Sequence, residues 1–487
     1  MVSRTRDLPE IVGREHMSDG AALLDSFSRD ESFALPHRPR VVVWPGSEGE
    51  VAEIVAWANE TATPLVAMSS AGPHLYGDTV PSVDGAVIVD LARMNAIRRI
   101  DRLNRMVVVE PGVTWEQLLP ELAKEGMRVT PPLLPRPGKS VITTLLERQP
   151  TLIPRYNYSL PEPLRDCGVV WGSGERSYTG EAGNGPFELE KQWAVGAHQL
   201  DPKGPAQTDF FRLLTGGQGT FGIVTWASIK CELLPSAGAL KFVTAPRLED
   251  LVGFANLVTR KRLGDEMFIL NRTQLVRMFG ESLERDEAAA IPEWVMVIGV
   301  RGRELFAAER VAVQSADISD VAAGFGLSLR DDLPPLDAAA LDAALAAAPA
   351  EPHWRSRLRG TTRDIFFLTT IDRIAGYVDT VMKTAAGHGY PPSIIGVYLQ
   401  PQHQGVSWHV ELDLALDPSD PRRVRTVHDV FTAAGEALIA SGAYFSRPYG
   451  SWARPVYNRD AASTSALRRV KAIFDPNNVL NPGKLCF

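Results

Sequence analysis

Short runs rich in valine and isoleucine alternate with helical segments through the first 130 residues of the chain. Three such runs are TPLVAMSS (63–70), GAVIVDL (85–91) and RMVVVEPG (105–112), and the turn residues that bound them predict buried strands. Ser47 and Thr114 each precede a Glu or Gln by three residues, which is the spacing of a capping box at a helix start. The alternation predicts a sheet packed against helices in this part of the chain.

Charge and composition exclude several classes of protein. The chain has 487 residues and a net charge of −7, so it offers no basic surface to a nucleic acid. Three cysteines are too few for a disulfide framework. The first residues lack the apolar core of a signal peptide, and no run of about 18 apolar residues could span a membrane. We expect a soluble, cytoplasmic protein of two or three domains.

Two changes along the chain predict its organisation. From Pro131 to Pro163 the sequence is rich in proline and shows no periodic pattern, so we expect functional surface there rather than a simple connection. Beyond Pro235, longer helical segments separate strands such as EWVMVIGV and IIGVYLQ. A domain boundary is therefore predicted near residue 236.

Two turns of small residues could hold a diphosphate. SSAGPHLYGDTVP (69–81) follows a predicted strand, and GGQGTFGIV (216–224) precedes one. Successive backbone N–H groups in such turns form anion-binding nests. Neither turn matches a P-loop or the dinucleotide fingerprint, and each could be only a turn between strands. A diphosphate site is therefore predicted only if the two turns act together.

The order of motifs along the chain resembles that of a known family. It runs from PGSEGEVAEIV through the first turn, GAVIVDLARMN and VVVEPGVTWEQL to GTFGIVTWASIKCELLP, and finishes with FDPNNVLNPGK. This order resembles the FAD-linked oxidases, and within them the flavoproteins of the vanillyl-alcohol oxidase and p-cresol methylhydroxylase type. The narrower resemblance depends on LYGDTVP, SVITTLLER and SWHVELDLALDPSDP.

The resemblance implies an α+β fold, in which a two-subdomain FAD-binding domain of the p-cresol methylhydroxylase type carries an α+β cap domain. The implied domains are 1–235 for FAD binding, 236–440 for the cap, and 441–487 for a C-terminal return to the FAD domain. The implied cofactor is FAD. Its implied contacts are Ser69, Ser70, Ala71, Gly72, Pro73, Tyr76, Gly77, Ser140, Thr143, Thr144, Gly219, Gly222, Ile223, Val224 and Lys484.

One segment departs from the family pattern. The loop around residues 137–144 is usually glycine-rich, and here it reads PGKSVITT, whose larger residues would narrow a cofactor site. Three outcomes stay open: FAD lies slightly differently, FAD binds weakly, or the protein is a subunit with a degenerate flavin site. The stretch RSRLRGTTRDIFF (355–367), which corresponds to the family's covalent attachment position, has no His, Tyr or Cys. We therefore expect non-covalent FAD.

The resemblance also implies residues that contact the substrate. In the phenol-oxidising relatives a tyrosine and an arginine hold the phenolate, and Tyr76 and Arg447 match them. An arginine suits an oxyanion because it stays charged and offers a planar fork of donors. The second tyrosine of the relatives is Ser446 here, although Tyr449 is close by. Alternatively, Arg447 pairs with a carboxylate between domains and Tyr76 is a packed turn aromatic.

A predicted strand near residue 409 adds a further catalytic candidate. His409 and Glu411 are two residues apart, so their side chains would point the same way and could line the pocket. His403 and His409 do not have the spacing of the metal-binding histidines of the 2-hydroxyacid dehydrogenases, so no metal site is predicted. The carboxylate that the family places near the flavin falls on LPRPG, which contains no acidic residue.

Three functions stay open from the sequence. The first is hydride transfer from an alcohol or a p-substituted phenolic substrate to flavin N5, with oxygen or an electron-transfer protein as the acceptor. The second is a 2-hydroxyacid dehydrogenase on the same fold, with Arg447 on the substrate carboxylate. The third is a flavin-site-degenerate subunit of an oxidoreductase complex. The protein is expected to act as a homodimer or as part of such a complex.

Overall fold

The computed structural model describes residues 6–153, 163–180, 188–196, 210–280, 283–348, 353–357 and 360–487. Within these ranges, three sheets of four or more strands and one two-stranded sheet pack with helices into a mixed α and β fold. None of the helices in these ranges combines the length and the apolar character that a membrane crossing needs.

The first sheet is mostly parallel and consists of β1 (Met17–Ser18), β2 (Val41–Val43), β3 (Leu65–Met68) and β4 (Val87–Asp90). Its strand order is β1-β2-β4-β3, with β2 and β3 both parallel to β4. Val51, Ile54 and Val55 of helix Glu48–Thr61 are completely buried in the core of this sheet. The sheet ends at β3, from which the first small-residue turn emerges.

The second sheet is antiparallel. This part of the chain contributes β5 (Ile97–Asp101), β6 (Met106–Val109), β7 (Met127–Arg128), β8 (Leu164–Trp171), β9 (Arg176–Tyr178), β10 (Gly222–Lys230) and β11 (Glu232–Leu233). The strand order is β5-β6-β10-β8-β9, and β7 pairs separately with β11. Helices Trp115–Lys124 and Val141–Leu146 contribute to its core. A hairpin at Ser173–Gly174 links β8 and β9.

The third sheet, in the region predicted as the cap, has seven antiparallel strands. They are β12 (Ala237–Ala245), β13 (Met267–Asn271), β14 (Trp294–Gly302), β15 (Leu329–Arg330), β16 (Thr361–Thr369), β17 (Ile395–Gln402) and β18 (Ser407–Leu416). The order is β15-β12-β14-β13-β17-β18-β16. One face packs against helices Leu248–Arg260, Ala307–Gly324, Ile374–Gly387 and Pro421–Ser441. The other face packs against helices Arg272–Phe279 and Ala338–Ala346, and beside them it borders a cleft.

The C-terminal segment returns to the first sheet. The backbone N–H of Leu65 donates to the carbonyl oxygen of Val479 at 2.7 Å, and that of Asn481 donates to Leu65 at 2.8 Å. The remaining described helices are Leu8–Val12, Ala21–Phe27, Leu189–Ala194, Phe211–Leu214, Arg285–Ala290, Trp354–Arg357, Ala453–Tyr457 and Ala461–Phe474. This return brings residues from the end of the chain to the two small-residue turns.

The predicted helix starts are confirmed, but the predicted capping boxes are only half formed. Ser47 Oγ accepts from the N–H of Glu50 at 3.2 Å, and Thr114 Oγ1 accepts from the N–H of Gln117 at 3.3 Å. The Glu50 carboxylate accepts from the N–H of Gly46 instead of returning to Ser47. The Glu50 carboxylate therefore accepts from the residue before the helix cap and leaves the N–H of Ser47 without the capping-box bond.

One helix was missed in the proline-rich stretch. Helix Val141–Leu146 begins at Ser140, whose hydroxyl accepts from the N–H of Thr143 at 3.1 Å. Six residues are too few to show a helical period. The predicted domain bounds 1–235, 236–440 and 441–487 stay a prediction, although the second sheet system ends at Leu233 and the third begins at Ala237.

Candidate active site

A cleft opens between the first two sheets and the uncovered part of the cap sheet. The small-residue turns contribute to its wall Ser69, Ser70, Pro73, Tyr76, Gly219, Gly222, Ile223 and Val224, and Thr143 lies beside them. Asn481 joins the two turns, because its Nδ2 donates to the carbonyl oxygen of Asp78 at 3.1 Å and to that of Gln218 at 2.8 Å. The turns are far apart in the sequence and meet at one cleft.

The first turn is held by the segment around Ser140. The hydroxyls of Ser69 and Thr143 are 2.6 Å apart, and Ser70 Oγ accepts from the N–H of Ser140 at 3.0 Å. Among the described residues no partner takes the backbone N–H groups of residues 74–76. These N–H groups are therefore available to an anion in the cleft.

The second turn leaves room for a ligand at one of its glycines. Gly219 has φ +67°, and a Cβ added there would meet no atom within 4 Å. A ligand can therefore approach this backbone closely. Gly222 differs, because an added Cβ would lie 2.6 Å from Val169 Cγ2 on the neighbouring strand. Strand packing alone explains Gly222.

Several predicted site residues do not form the wall. The wall, as the described residues form it, does not include the predicted residues Ala71, Gly72, Gly77, Ser140, Thr144, His409 and Lys484. Ser140 Oγ donates to the Pro111 carbonyl at 2.6 Å and Thr144 Oγ1 to the Ser140 carbonyl at 2.8 Å, so both hydroxyls are used within the fold. Lys484 Nζ donates to the Gly77 carbonyl at 2.7 Å. The polar groups of Ser140, Thr144 and Lys484 therefore support the local backbone instead of facing the cleft.

A group of polar and charged side chains on the wall was missed. It comprises His74, Asp78, Arg136, Lys139 and Glu147. Lys139 Nζ lies 2.6 Å from Glu147 Oε2. Burial, together with Arg136 and Lys139, lowers the pKa of His74 to about 4, so its imidazole is neutral at neutral pH. The sequence feature that could have indicated this group is the presence of polar residues within the first small-residue turn and in the altered 137–144 loop.

Aromatic rings line the end of the cleft nearest the cap sheet. Tyr76 and Tyr449 stack with their ring centroids 4.9 Å apart and an interplanar angle of 12°. Phe366 meets Tyr76 edge-on at 5.4 Å. Burial raises the pKa of Tyr76 to about 12 and that of Tyr449 well above its ordinary value. Both hydroxyls therefore stay protonated and can donate.

Arg447 lies against this aromatic end. It is only 3% exposed, and its Cζ lies 4.0 Å from the centroid of the Phe366 ring. In the part of the chain that the structure describes, Arg447 has no carboxylate at ion-pair distance, and its buried Nε has no hydrogen-bond acceptor. The alternative that Arg447 forms an ion pair between domains therefore finds no partner among these residues.

The cap sheet carries a buried charge cluster beside the aromatic rings. Arg355 forms ion pairs with Asp364 and, at 2.5 Å, with Glu411. His409 Nε2 lies 3.1 Å from Glu411 Oε2, so the two side chains share a face of β18 as predicted. Burial would raise the pKa of Glu411, but Arg355 and His409 outweigh it and lower that pKa to about 2. Burial lowers the pKa of His409, so an ionised carboxylate faces a neutral imidazole.

Three carboxylates of the same cluster lie close enough together to bind a metal ion, but they already pair with a positively charged side chain. Ligand atoms of Asp364, Glu411 and Asp413 lie within 4.8 Å of one another. The Arg355 guanidinium already pairs with all three of these carboxylates, and a metal ion would have to displace it. The Tyr76 hydroxyl also donates to Asp364 at 3.4 Å, which links the first turn to the cap.

The cleft fits FAD. A diphosphate needs convergent donors, and the cleft wall carries both residues 74–76, whose backbone N–H groups have no partner among the described residues, and the open backbone of Gly219. His74 Nε2 is buried on the same wall without a partner in the described residues. Non-covalent attachment stays a prediction. His353, just outside the aligned attachment stretch, lies on the wall with its Nε2 2.9 Å from the Leu134 carbonyl oxygen.

Comparisons with known proteins support FAD as the cofactor. Residues 39–142 match the model of the FAD binding domain, and residues 450–485 match that of the C-terminal domain of FAD linked oxidases. D-lactate dehydrogenase [cytochrome] 1 from Saccharomyces cerevisiae is 24% identical over 61% of this chain and 48% of its own length. The chain spans about half or less of the length of the first curated relatives that it matches.

Solved structures show the same fold over the whole chain. 4-Ethylphenol oxidase from Gulosibacter chungangensis, in complex with isoeugenol, superposes with a TM-score of 0.80 at 20% identity, covering 98% of this chain and 95% of that one. p-Cresol methylhydroxylase with substrate bound superposes with a TM-score of 0.81 at 16% identity, covering 99% and 95%. The chain therefore contains the FAD binding domain and the C-terminal domain of FAD linked oxidases, which indicates an enzyme with FAD as its cofactor, and it has the fold of p-cresol methylhydroxylase.

Proposed function

We propose that the protein is a flavin-dependent oxidoreductase that takes a hydride from an alcohol or a p-substituted phenolic substrate, whose anionic oxygen is bound by Arg447. Bound FAD would supply the chemistry by accepting the hydride at N5. The cleft residues would bind the substrate, orient it and exclude water. Oxygen or an electron-transfer protein is the proposed acceptor, and a cytoplasmic location stays a prediction.

The unpartnered guanidinium of Arg447 is the observation that carries this proposal. Burying an unpaired charge costs several kcal/mol even after relaxation, so proteins rarely keep one without a use. Among the described residues no carboxylate lies at ion-pair distance from Arg447, although its charge helps to lower the pKa of the nearby Glu411. Its planar fork of donors suits a phenolate or carboxylate oxygen. An anionic substrate would supply the missing partner.

The shape of the pocket favours an aromatic substrate. Tyr76 and Tyr449 line the cleft together with Arg447, and the buried Phe366 ring packs edge-on against Tyr76 and under the Arg447 guanidinium. Offset or edge-to-face contacts with such rings stabilise an aromatic ligand by about 0.5–1.5 kcal/mol each. A small aliphatic acid would leave much of this surface uncovered.

The two tyrosines have different roles in this proposal. The Tyr76 hydroxyl already donates to Asp364, so its ring is fixed and its oxygen can accept a hydrogen bond. For the Tyr449 hydroxyl, no acceptor is found among the described residues, and its raised pKa keeps the proton available. Tyr449 and Arg447 would therefore donate together to the substrate oxygen.

A 2-hydroxy acid is the second candidate substrate. A carboxylate would satisfy both terminal nitrogens of Arg447 in a bidentate pair. The chain is also similar in sequence to a D-lactate dehydrogenase over 61% of its length. A flavin-site-degenerate subunit is the third candidate, and it requires that the cleft not bind FAD.

An anaerobic reduction experiment separates the candidates. The purified full-length protein is mixed with p-hydroxybenzyl alcohols or with D-lactate in the absence of oxygen, and bleaching of the visible flavin band is followed. The proposal expects fast bleaching by the phenolic alcohols. Faster bleaching by D-lactate would support the second candidate, and a protein that stays colourless in excess FAD would support the third.

A further inference from the structure

Asp78 is one of the residues that form the wall of the cleft. Asp78 lies within the first small-residue turn, and the amide of Asn481, which joins this turn to the second, donates to its carbonyl oxygen. The described residues place no cation at ion-pair distance from its carboxylate. An acidic side chain therefore lies where an anionic diphosphate is expected.

The groups that face Asp78 leave its charge uncompensated. Lys139 is held by Glu147, and Lys484 donates to a backbone carbonyl of the turn. The other groups around it are Asp30, His74 and Tyr449. Burial first, and then the negative charge of Glu147, raise the pKa of Asp78 to about 7. Its carboxyl is therefore poised between the neutral and the charged form at neutral pH.

We propose that Asp78 contacts the FAD diphosphate as a neutral carboxylic acid, so that binding of FAD takes up one proton from solvent. A carboxylate beside the diphosphate would repel it, whereas a carboxylic acid has an O–H that can donate to a phosphate oxygen. No covalent bond changes, and the proton returns to solvent when FAD leaves. The inference requires that the diphosphate lie between the two turns.

The inference gives the dissociation constant of FAD a defined pH dependence. Below about pH 7 the carboxyl is already protonated in the free protein, so the dissociation constant is flat. Above that pH each unit makes protonation tenfold less favourable, so the dissociation constant rises about a hundredfold between pH 6 and pH 9. His74 does not titrate between pH 6 and pH 9, because its pKa is about 4.

Equilibrium dialysis of the full-length holoprotein between pH 6 and pH 9 tests this directly. We expect the hundredfold rise in the wild type and in Asp379→Asn, a control that removes an acid from an exposed helix position. We expect a nearly flat profile in Asp78→Asn, whose amide keeps a donor without a titratable proton. A flat wild-type profile, or a slope that persists in Asp78→Asn, would overturn the inference.

Calorimetry provides a test that needs no variant. Titration of the wild type with FAD at pH 8, in two buffers of different ionisation enthalpy, should show uptake of about one proton per FAD. Zero uptake contradicts the inference even if the variant fails to fold. Equal FAD affinities of Gly219→Asp and Gly219→Asn would instead show that the diphosphate lies elsewhere, and would leave the proposed substrate chemistry of Arg447 untouched.

Discussion

Replacing Arg447 with methionine removes a buried positive charge that has no carboxylate at ion-pair distance among the described residues. Burying an ion without a partner costs several kcal/mol even after the surrounding protein has relaxed. The cation–π contact of the Arg447 guanidinium with Phe366, at 4.0 Å, offsets about 2 kcal/mol of that cost. Methionine keeps an apolar side chain of similar length in the same space. We therefore expect Arg447→Met to raise the free energy of unfolding by about 1–3 kcal/mol.

The same replacement should nearly abolish reaction with substrate. A hydrogen bond to a charged group contributes about 1.5–3 kcal/mol, and a guanidinium holding an oxyanion makes one or two. The loss corresponds to a fall in kcat/KM for flavin bleaching of about 100-fold or more. FAD content should stay within about a factor of two of the wild type, because Arg447 lies at the aromatic end of the cleft.

Urea unfolding and anaerobic bleaching of the same preparations measure the two effects. Arg447→Lys keeps the charge and tests the planar fork, and Arg454→Met makes the same type of change at an exposed position nearby. Neither the stability nor the bleaching should change in Arg454→Met. If Arg447→Met instead lowers the free energy of unfolding by more than about 1 kcal/mol, or loses FAD and bleaching equally, the arginine is structural.

Two further predictions concern the supports of the cleft. Asn481→Ala removes both hydrogen bonds between the turns and should weaken FAD binding about tenfold. The control Asn477→Ala, on the exposed part of the same segment, should leave FAD binding unchanged. Equal dissociation constants of the two variants in equilibrium dialysis would contradict the role of Asn481. Glu411 has a pKa of about 2, below its ordinary 4.5, so the stability that it contributes is present above pH 4.5 and is lost as the pH falls toward 2. Glu411→Gln should therefore remove about 3 kcal/mol of the acid-induced loss seen in unfolding curves, and the exposed control Glu436→Gln should leave that loss unchanged.

The regular elements of the first two sheets were predictable because their sequence pattern is local. The strand predicted at 85–91 is Val87–Asp90, and the helix predicted from Thr114 is Trp115–Lys124. Turn residues bound the first, and a capping residue starts the second. Helix Val141–Leu146 was missed because six residues, two of them threonines with weak helix propensity, carry no period.

The direction of a turn side chain could not be predicted from the sequence. Ser69 and Ser140 are both small hydroxyl residues beside the expected diphosphate, yet only Ser69 lies on the cleft wall. The Ser140 hydroxyl caps a helix and donates to the Pro111 carbonyl, a use that depends on tertiary packing. A hydroxyl suits a helix cap as well as a ligand, so residue type alone does not decide between them.

The sequence also could not predict which charged side chains of the cleft have partners of opposite charge. Arg447 was identified, but the absence of a described counterion became visible only when the surrounding elements were in place. Asp78 and Glu147 were overlooked because an acidic residue in a turn is ordinarily a solvated one. Their place on the cleft wall depends on tertiary packing that the local sequence does not show.

The central claim is that the two small-residue turns converge on the FAD diphosphate, and a charge placed at Gly219 tests it most directly. Asp and Asn both tolerate the left-handed backbone of this residue, and both side chains would enter the open space beside the cleft. They differ in charge alone. We predict that Gly219→Asp weakens FAD binding, measured by equilibrium dialysis at pH 7, at least about tenfold more than Gly219→Asn does. Equal affinities of the two variants would contradict the claim.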